Sequence, residues 1–229
     1  MNFELMQEAF PQILEAVPTT LLLTGISLAI GFVIAMLIAL MRTSPYWIVS
    51  GFAYAFVYVF RSTPLLVQLF LIYYGSGQFR EALDSVGLWI FFRDAWFCAL
   101  LALSLNTGAY TSEIIRGGIQ SVAFGQIEAA RAVGMSGLQT FARVTFPQAI
   151  RQALPAYGNE IILMVKSTSL ASTITILEIT GIAKKIIAST FSPVEVFIIA
   201  GGIYLTINFV VSRLVALTEH RLSPQLTRR

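Results

Sequence analysis

From Thr19 to Met41 the chain runs for more than twenty residues without a charged side chain, and the run ends at Arg42. A helix needs roughly 20 mostly apolar residues to cross the hydrocarbon core of a bilayer. Inside that core each backbone N–H and C=O must be satisfied within the protein, which makes a helix the conformation for such a run. Three further runs read the same way: about Ala95 to Ile115, Pro155 to Leu177, and Val194 to Leu217. A longer stretch, Ile48 to Gly75, is interrupted by Arg61-Ser62-Thr63-Pro64 and is too long for one straight span. It reads as a short interfacial or re-entrant piece, Ile48 to Phe60, followed by the rest of the second span, Thr63 to Tyr74. The expectation is an all-α, polytopic membrane helix bundle with five transmembrane helices, forming one domain over residues 1–229.

Composition excludes the main alternatives. Charged residues make up 12% of the chain and hydrophobic residues 56%, against about 25% charged in a soluble domain. No Lys/Arg-rich run points to nucleic acid. The single cysteine, Cys98, lies in an apolar run and reads as a small buried hydrophobe; with the single histidine, His220, far away, no metal site is expected. The first fifteen residues carry Glu4, Glu8 and Glu15 and no basic residue. A secretory signal starts basic, so this segment is expected to be retained.

With five spans the termini fall on opposite sides, and basic residues choose the side. One set of loops holds Arg42, then Arg116, Arg131, Arg143 and Arg151, then Arg213, Arg221, Arg228 and Arg229. The other holds the acidic N-terminus, Arg80 and Arg93 offset by Glu81, Asp84 and Asp94, and Lys184 with Lys185. The richer set is expected in the cytoplasm, which puts the N-terminus on the periplasmic side and the C-terminus inside.

The connection from Arg116 to Leu154 is longer than a structural link requires. It reads Gly125-Gln126-Ile127-Glu128-Ala129-Ala130-Arg131-Ala132-Val133-Gly134, and nine residues later Val144-Thr145-Phe146-Pro147. This resembles the signature of ABC importer permeases: Glu-Ala-Ala, three residues, Gly, nine residues, then an aliphatic, any residue, an apolar residue and Pro. Val144 and Phe146 stand where Ile and Leu are commoner. Small side chains at Ala129, Ala130 and Ala132 suit a helix that fits a partner's cleft, and Gly134 can take the left-handed conformation that ends it. An acidic side chain at Glu128, near the helix start, suits the dipole. The resemblance implies that a coupling segment within 121–150, with Gln126, Glu128, Ala129, Ala130 and Gly134, docks on an ATPase subunit.

The likeness extends over nearly the whole chain. Arg61-Ser62-Thr63-Pro64-Leu65-Leu66-Val67-Gln68 resembles an element of the polar amino-acid permeases in which Gly is usual at the position of Ser62. Ala109 to Gly118, Leu154 to Glu160, and Lys166-Ser167-Thr168-Ser169-Leu170 resemble that subfamily too, most closely the branch importing basic amino acids and opines such as octopine and nopaline. The resemblance implies a second permease subunit forming a heterodimer, two ATPase subunits, a periplasmic binding protein, an amino-acid substrate and an inner-membrane location. No Gly-rich phosphate loop is present, so ATP is expected to be bound and hydrolysed by the separate subunit, with no catalytic residue and no cofactor here.

Ionisable groups inside a span are functional candidates. Asn159, Lys166 and Thr173 repeat every seven residues, Glu160 and Ser167 share the adjacent face, and Asn106, Tyr110 and Glu113 share a face of the third span. A zwitterionic substrate needs donors for its carboxylate and acceptors for its ammonium. Asn106, Glu113, Asn159, Glu160, Lys166 and the hydroxyls of Ser167, Thr168 and Ser169 are the candidates for the path. The competing reading is that Glu113, Glu160 and Lys166 neutralise one another or a partner subunit's charges and hold helices in register. Two other classes compete with this reading. A self-sufficient secondary transporter would show inverted halves, absent here, and an intramembrane enzyme would need a catalytic constellation.

Overall fold

The structure is a computed structural model that describes residues 2–222. In chain order the helices are α1 (Phe3–Leu14), α2 (Val17–Arg42), α3 (Trp47–Ser62), α4 (Leu65–Gln78), α5 (Arg80–Ser85), α6 (Trp89–Phe92), α7 (Ala95–Gln120), α8 (Phe124–Ala132) and α9 (Gly137–Thr140). A π-helical turn, Phe141–Thr145, leads into α10 (Phe146–Ser167), and a 3₁₀ segment, Thr168–Ile174, leads out of it. The helices α11 (Ile179–Thr190) and α12 (Pro193–Leu222) complete the fold. Arg228 and Arg229, counted among the cytoplasmic charges, lie outside the described residues.

Many large apolar side chains face outward, and a set of hydroxyls lies inside beside the apolar core. Leu37, Phe52, Leu71 and Leu205 are more than half exposed, whereas Thr20, Ser27, Ser104, Thr107 and Thr111 are buried. That inversion suits a protein whose solvent is lipid. Among the described residues, Phe3–Arg42 and Pro193–Arg221 are long and apolar enough to cross a membrane unaided. Two bent pairs qualify as broken spans: α3 with α4, turned by 103°, and Gly137–Ile174 with α11, turned by 45°. The 26-residue α7 is not among them. It packs against α2, α3, α4 and α10, and this central position lets it carry Ser104, Asn106, Thr107, Thr111 and Ser112.

Small residues let the central helices approach closely, as in membrane bundles generally. A Cβ at Gly31 of α2 would collide with the Thr107 methyl of α7, and one at Gly118 of α7 would lie 2.7 Å from the Ala149 carbonyl of α10. One apolar cluster joins α2, α4, α7 and the 3₁₀ segment through Leu23, Leu69, Cys98, Ala102 and Ile174. A second ties α1 to α11 and α12 through Ile13, Ile179, Ala183 and Val196.

Several boundaries differ from the sequence reading. The first span does not begin at Thr19: a helix continues back through a turn at Glu15–Ala16 to Phe3, capped by the Asn2 side chain accepting from Leu5 N at 3.1 Å. The fourth does not begin at Pro155, which lies inside α10. Its first turns carry Arg151 and Gln152 on exposed faces, so polarity there marks surface and not a helix start. Nor does it continue straight to Leu177, because α10 ends at Ser167. Thr173 therefore does not extend the seven-residue stripe of Asn159 and Lys166. Lys184 and Lys185, read as loop residues, lie on α11.

Candidate functional site

The connection after α7 is almost wholly helical. In α8, Gln126, Glu128 and Ala129 are exposed and Ala130 is buried. The helix ends in a Schellman turn: Gly134 N donates to Arg131 O at 3.0 Å and Met135 N to Ala130 O at 3.1 Å. Gly134 has φ +84°, the left-handed conformation that its sequence position predicts. Ser136 and Gln139 then form a reciprocal capping box that starts α9. Phe124, Val133 and Leu138 project, each more than two-thirds exposed. The Gln148 side-chain amide of α10 donates to Gln126 Oε1, so the segment is tied to the helix that carries Glu160.

Further along, the α3–α4 corner sits against α7. Thr63 is extended (φ −113°, ψ 143°), as a residue before proline prefers, and Ser62, where related elements use Gly, does not take a positive φ. The break strands carbonyls at the end of α3, and Gln68 restores partners to them. Its amide donates to Phe60 O at 2.9 Å and Thr63 O at 3.0 Å. Asn106 of α7 donates to Gln68 Oε1 at 3.0 Å and Phe60 O at 3.3 Å. Asn106 thus spends its donors on the corner. Gln68 was not singled out from sequence; a buried amide one turn after a helix-breaking proline was the available signal.

Two cavities adjoin this corner. One, of about 440 Å³, brings together Asn106, Glu160 and Ser167 with Arg61 and Tyr110. Glu160 is buried and accepts from Thr107 Oγ1 at 2.8 Å. The other, of about 430 Å³, is lined by Arg42, Arg61, Tyr110, Glu113 and Arg116. Glu113 is gripped by Arg116, whose Nε lies 3.0 Å from Oε1 and whose Nη2 lies 2.6 Å from Oε2. Arg42 and Arg61 stand further off, at 3.7 and 3.9 Å.

The remaining path candidates do not join this group. Asn159 and Lys166 are exposed on the subunit surface. Thr168 Oγ1 donates to Val165 O at 2.8 Å and Ser169 Oγ to Lys166 O at 2.6 Å, so both hydroxyls serve the helix end. Mutual neutralisation of Glu113, Glu160 and Lys166 is not what is found: the three ion pairs among the described residues all converge on Glu113.

A further buried carboxylate went unread. Glu178 caps α11, accepting from Gly181 N at 2.8 Å, and its other oxygen accepts from Tyr204 Oη at 2.6 Å. It is the one charged residue between Lys166 and Lys184, which was its signal. It fixes the turn after Thr175, whose φ is +75°, against α12.

An outward apolar surface, with hydroxyls buried between the helices and two polar cavities lined by Glu113 and Glu160, is that of a polytopic membrane protein. The chain belongs to the family described as "Binding-protein-dependent transport system inner membrane component", matched over residues 31–224, and is a permease subunit of an ABC importer. It is 67% identical over 229 residues to the nopaline transport system permease protein NocM of Agrobacterium fabrum, covering 100% of this chain and 95% of that one. It is 55% identical over 218 residues to the octopine transport system permease protein OccM of Rhizobium meliloti, covering 95% and 89%. Among solved structures, one described as an amino acid ABC transporter with histidines superposes with a TM-score of 0.85 at 37% identity, covering 96% of this chain and 99% of that one.

Proposed function

We propose that this subunit forms half of a path that carries basic amino acids or opines across the bacterial inner membrane. The observation that carries this reading is the cavity in which buried Glu160 meets Asn106, Tyr110 and Ser167. A carboxylate there can receive a cationic side chain. The names of the relatives, a nopaline and an octopine permease, support the same substrate class. The third span in chain order, α7, completes the five; it is the helix polar enough to line the path. The N-terminus faces the periplasm and the C-terminus the cytoplasm.

The other half of the path comes from a second, different permease subunit, and a periplasmic protein delivers the substrate. Two ATPase subunits bind ATP and close on the segment from Gln126 to Gly134. The tie from Gln126 to Gln148 passes that motion to α10 and the Glu160 cavity, giving alternating access.

Glu160→Gln tests the reading. Loss of a desolvated charge partner should reduce uptake of arginine-like substrates at least tenfold, or roughly 1.4 kcal/mol. Subunit level and ligand binding by the periplasmic protein should stay at wild-type values. Lost assembly would make Glu160 structural, and unchanged uptake with normal assembly would remove it from the path.

A further inference from the structure

Arg61 lines both cavities and so stands between Glu113 and Glu160. In the Glu113 cavity it is the outermost of three partners, 3.9 Å from a carboxylate that Arg116 already holds at 2.6 Å. One carboxylate cannot occupy the donors of three guanidiniums, each of which has five N–H groups. The Arg61 guanidinium lies over the Tyr110 ring at 5.3 Å. That contact orients the group through its face and leaves its N–H edge for hydrogen bonds.

In the other cavity Arg61 and Glu160 are the two charged lining residues, with Asn106, Tyr110 and Ser167 beside them. Its volume of about 440 Å³ falls within the ~300–1,000 Å³ of small-molecule sites. A substrate whose cationic end meets Glu160 still has its carboxylate to satisfy. Asn106 has spent its donors on the corner, which leaves the planar fork of Arg61 as the charged donor in the cavity. Such a fork matches a carboxylate through paired N–H groups.

We propose that Arg61 binds substrate carboxylate and favours N-carboxyalkyl arginines, the opine class, over arginine itself; this rests on the functional reading above. An opine carries at least one carboxylate more than arginine. The neighbouring excess of Arg42 and Arg61 over Glu113 provides cations for it. A carboxylate that takes Arg61 also draws it from Glu113, loosening the tie between α3 and the end of α7.

The test is uptake by the complete importer in proteoliposomes, with its ATPase, partner permease and binding protein, for arginine, octopine and nopaline. Arg61→Gln is expected to lower uptake of the opines at least tenfold, as loss of a paired charge-assisted contact would, with a smaller loss for arginine and an unchanged subunit level. Arg61→Lys keeps the charge but not the fork, and should fall between wild type and Arg61→Gln for the opines while leaving arginine within about threefold. Equal losses for arginine and the opines in both variants would overturn the proposal, since Arg61 would then hold a carboxylate common to all three or serve only as a tie between helices. Unchanged opine uptake in Arg61→Gln would overturn it too. A wild-type importer that moves neither octopine nor nopaline would overturn this inference and the functional reading together.

Discussion

Gly31→Ala adds one methyl group where α2 and α7 cross, and its cost can be worked from the contacts it meets. The new Cβ would overlap the Thr107 Cγ2 methyl and sit 3.1 Å from the Ser104 carbonyl oxygen. Thr107 is 1% exposed and has no room to withdraw. Overpacking of this kind costs about 1–3 kcal/mol. Alanine recovers roughly 0.5–1 kcal/mol through its better helix propensity, so the net loss is about 0–2.5 kcal/mol, ~1 kcal/mol at the middle of the range. At roughly 2–4 °C per kcal/mol for a chain of this size, that middle value lowers the thermal midpoint of the solubilised complex by about 2–4 °C. Thr107 also donates to Glu160 at 2.8 Å, so displacing it should lower uptake as well. Thr107→Ser removes the colliding methyl and keeps that hydroxyl; alone it should cost about 1 kcal/mol for the lost apolar contact. The double variant should be more stable than the two single losses added together, with a coupling energy of about 0.5–3 kcal/mol. A Gly31→Ala subunit that melts with wild type, or strictly additive losses, would refute the packing argument.

Two other outcomes follow from the same structure. Reporter fusions after Arg80 and after Ser136 should report opposite sides of the membrane, periplasmic and cytoplasmic respectively, and matching signals would sink the proposed topology. Gly134 has open space around its Cβ position but φ +84°, so Gly134→Val is strained through its backbone alone, by roughly 1–2 kcal/mol. It should leave the subunit in the membrane and reduce ATP-driven uptake at least tenfold. Wild-type uptake would show that the turn plays no part in coupling.

The features legible in the sequence were those that local chemistry dictates. Long apolar runs marked α2 and α12, Arg61 to Pro64 marked the corner between α3 and α4, and the position of Gly134 predicted its backbone conformation. What was not legible depended on which helices meet. Asn106 sits on a polar stripe whether it faces a substrate or the Gln68 amide; only the fold, with its stranded carbonyls at the corner, decides that its donors go to Gln68 and Phe60. Glu113 looked like a partner for charges on α10, but its cations come from α2, α3 and α7 itself. The hydroxyls of Thr168 and Ser169 read as path groups until the end of α10 at Ser167 turned them onto its own carbonyls. Pro155 looked like the start of a span because the residues before it are polar, whereas here the helix was already under way from Phe146.

The central claim, that this chain lines a binding-protein-dependent path for cationic amino acids or opines, is tested most directly by reconstituted uptake. The subunit is purified with its co-isolating permease and ATPase and placed in vesicles. Labelled octopine is supplied with the periplasmic protein outside and ATP within. The account predicts accumulation that requires both ATP and the binding protein and is lost in Glu160→Gln. Accumulation without either one, or undiminished in that variant, would contradict it.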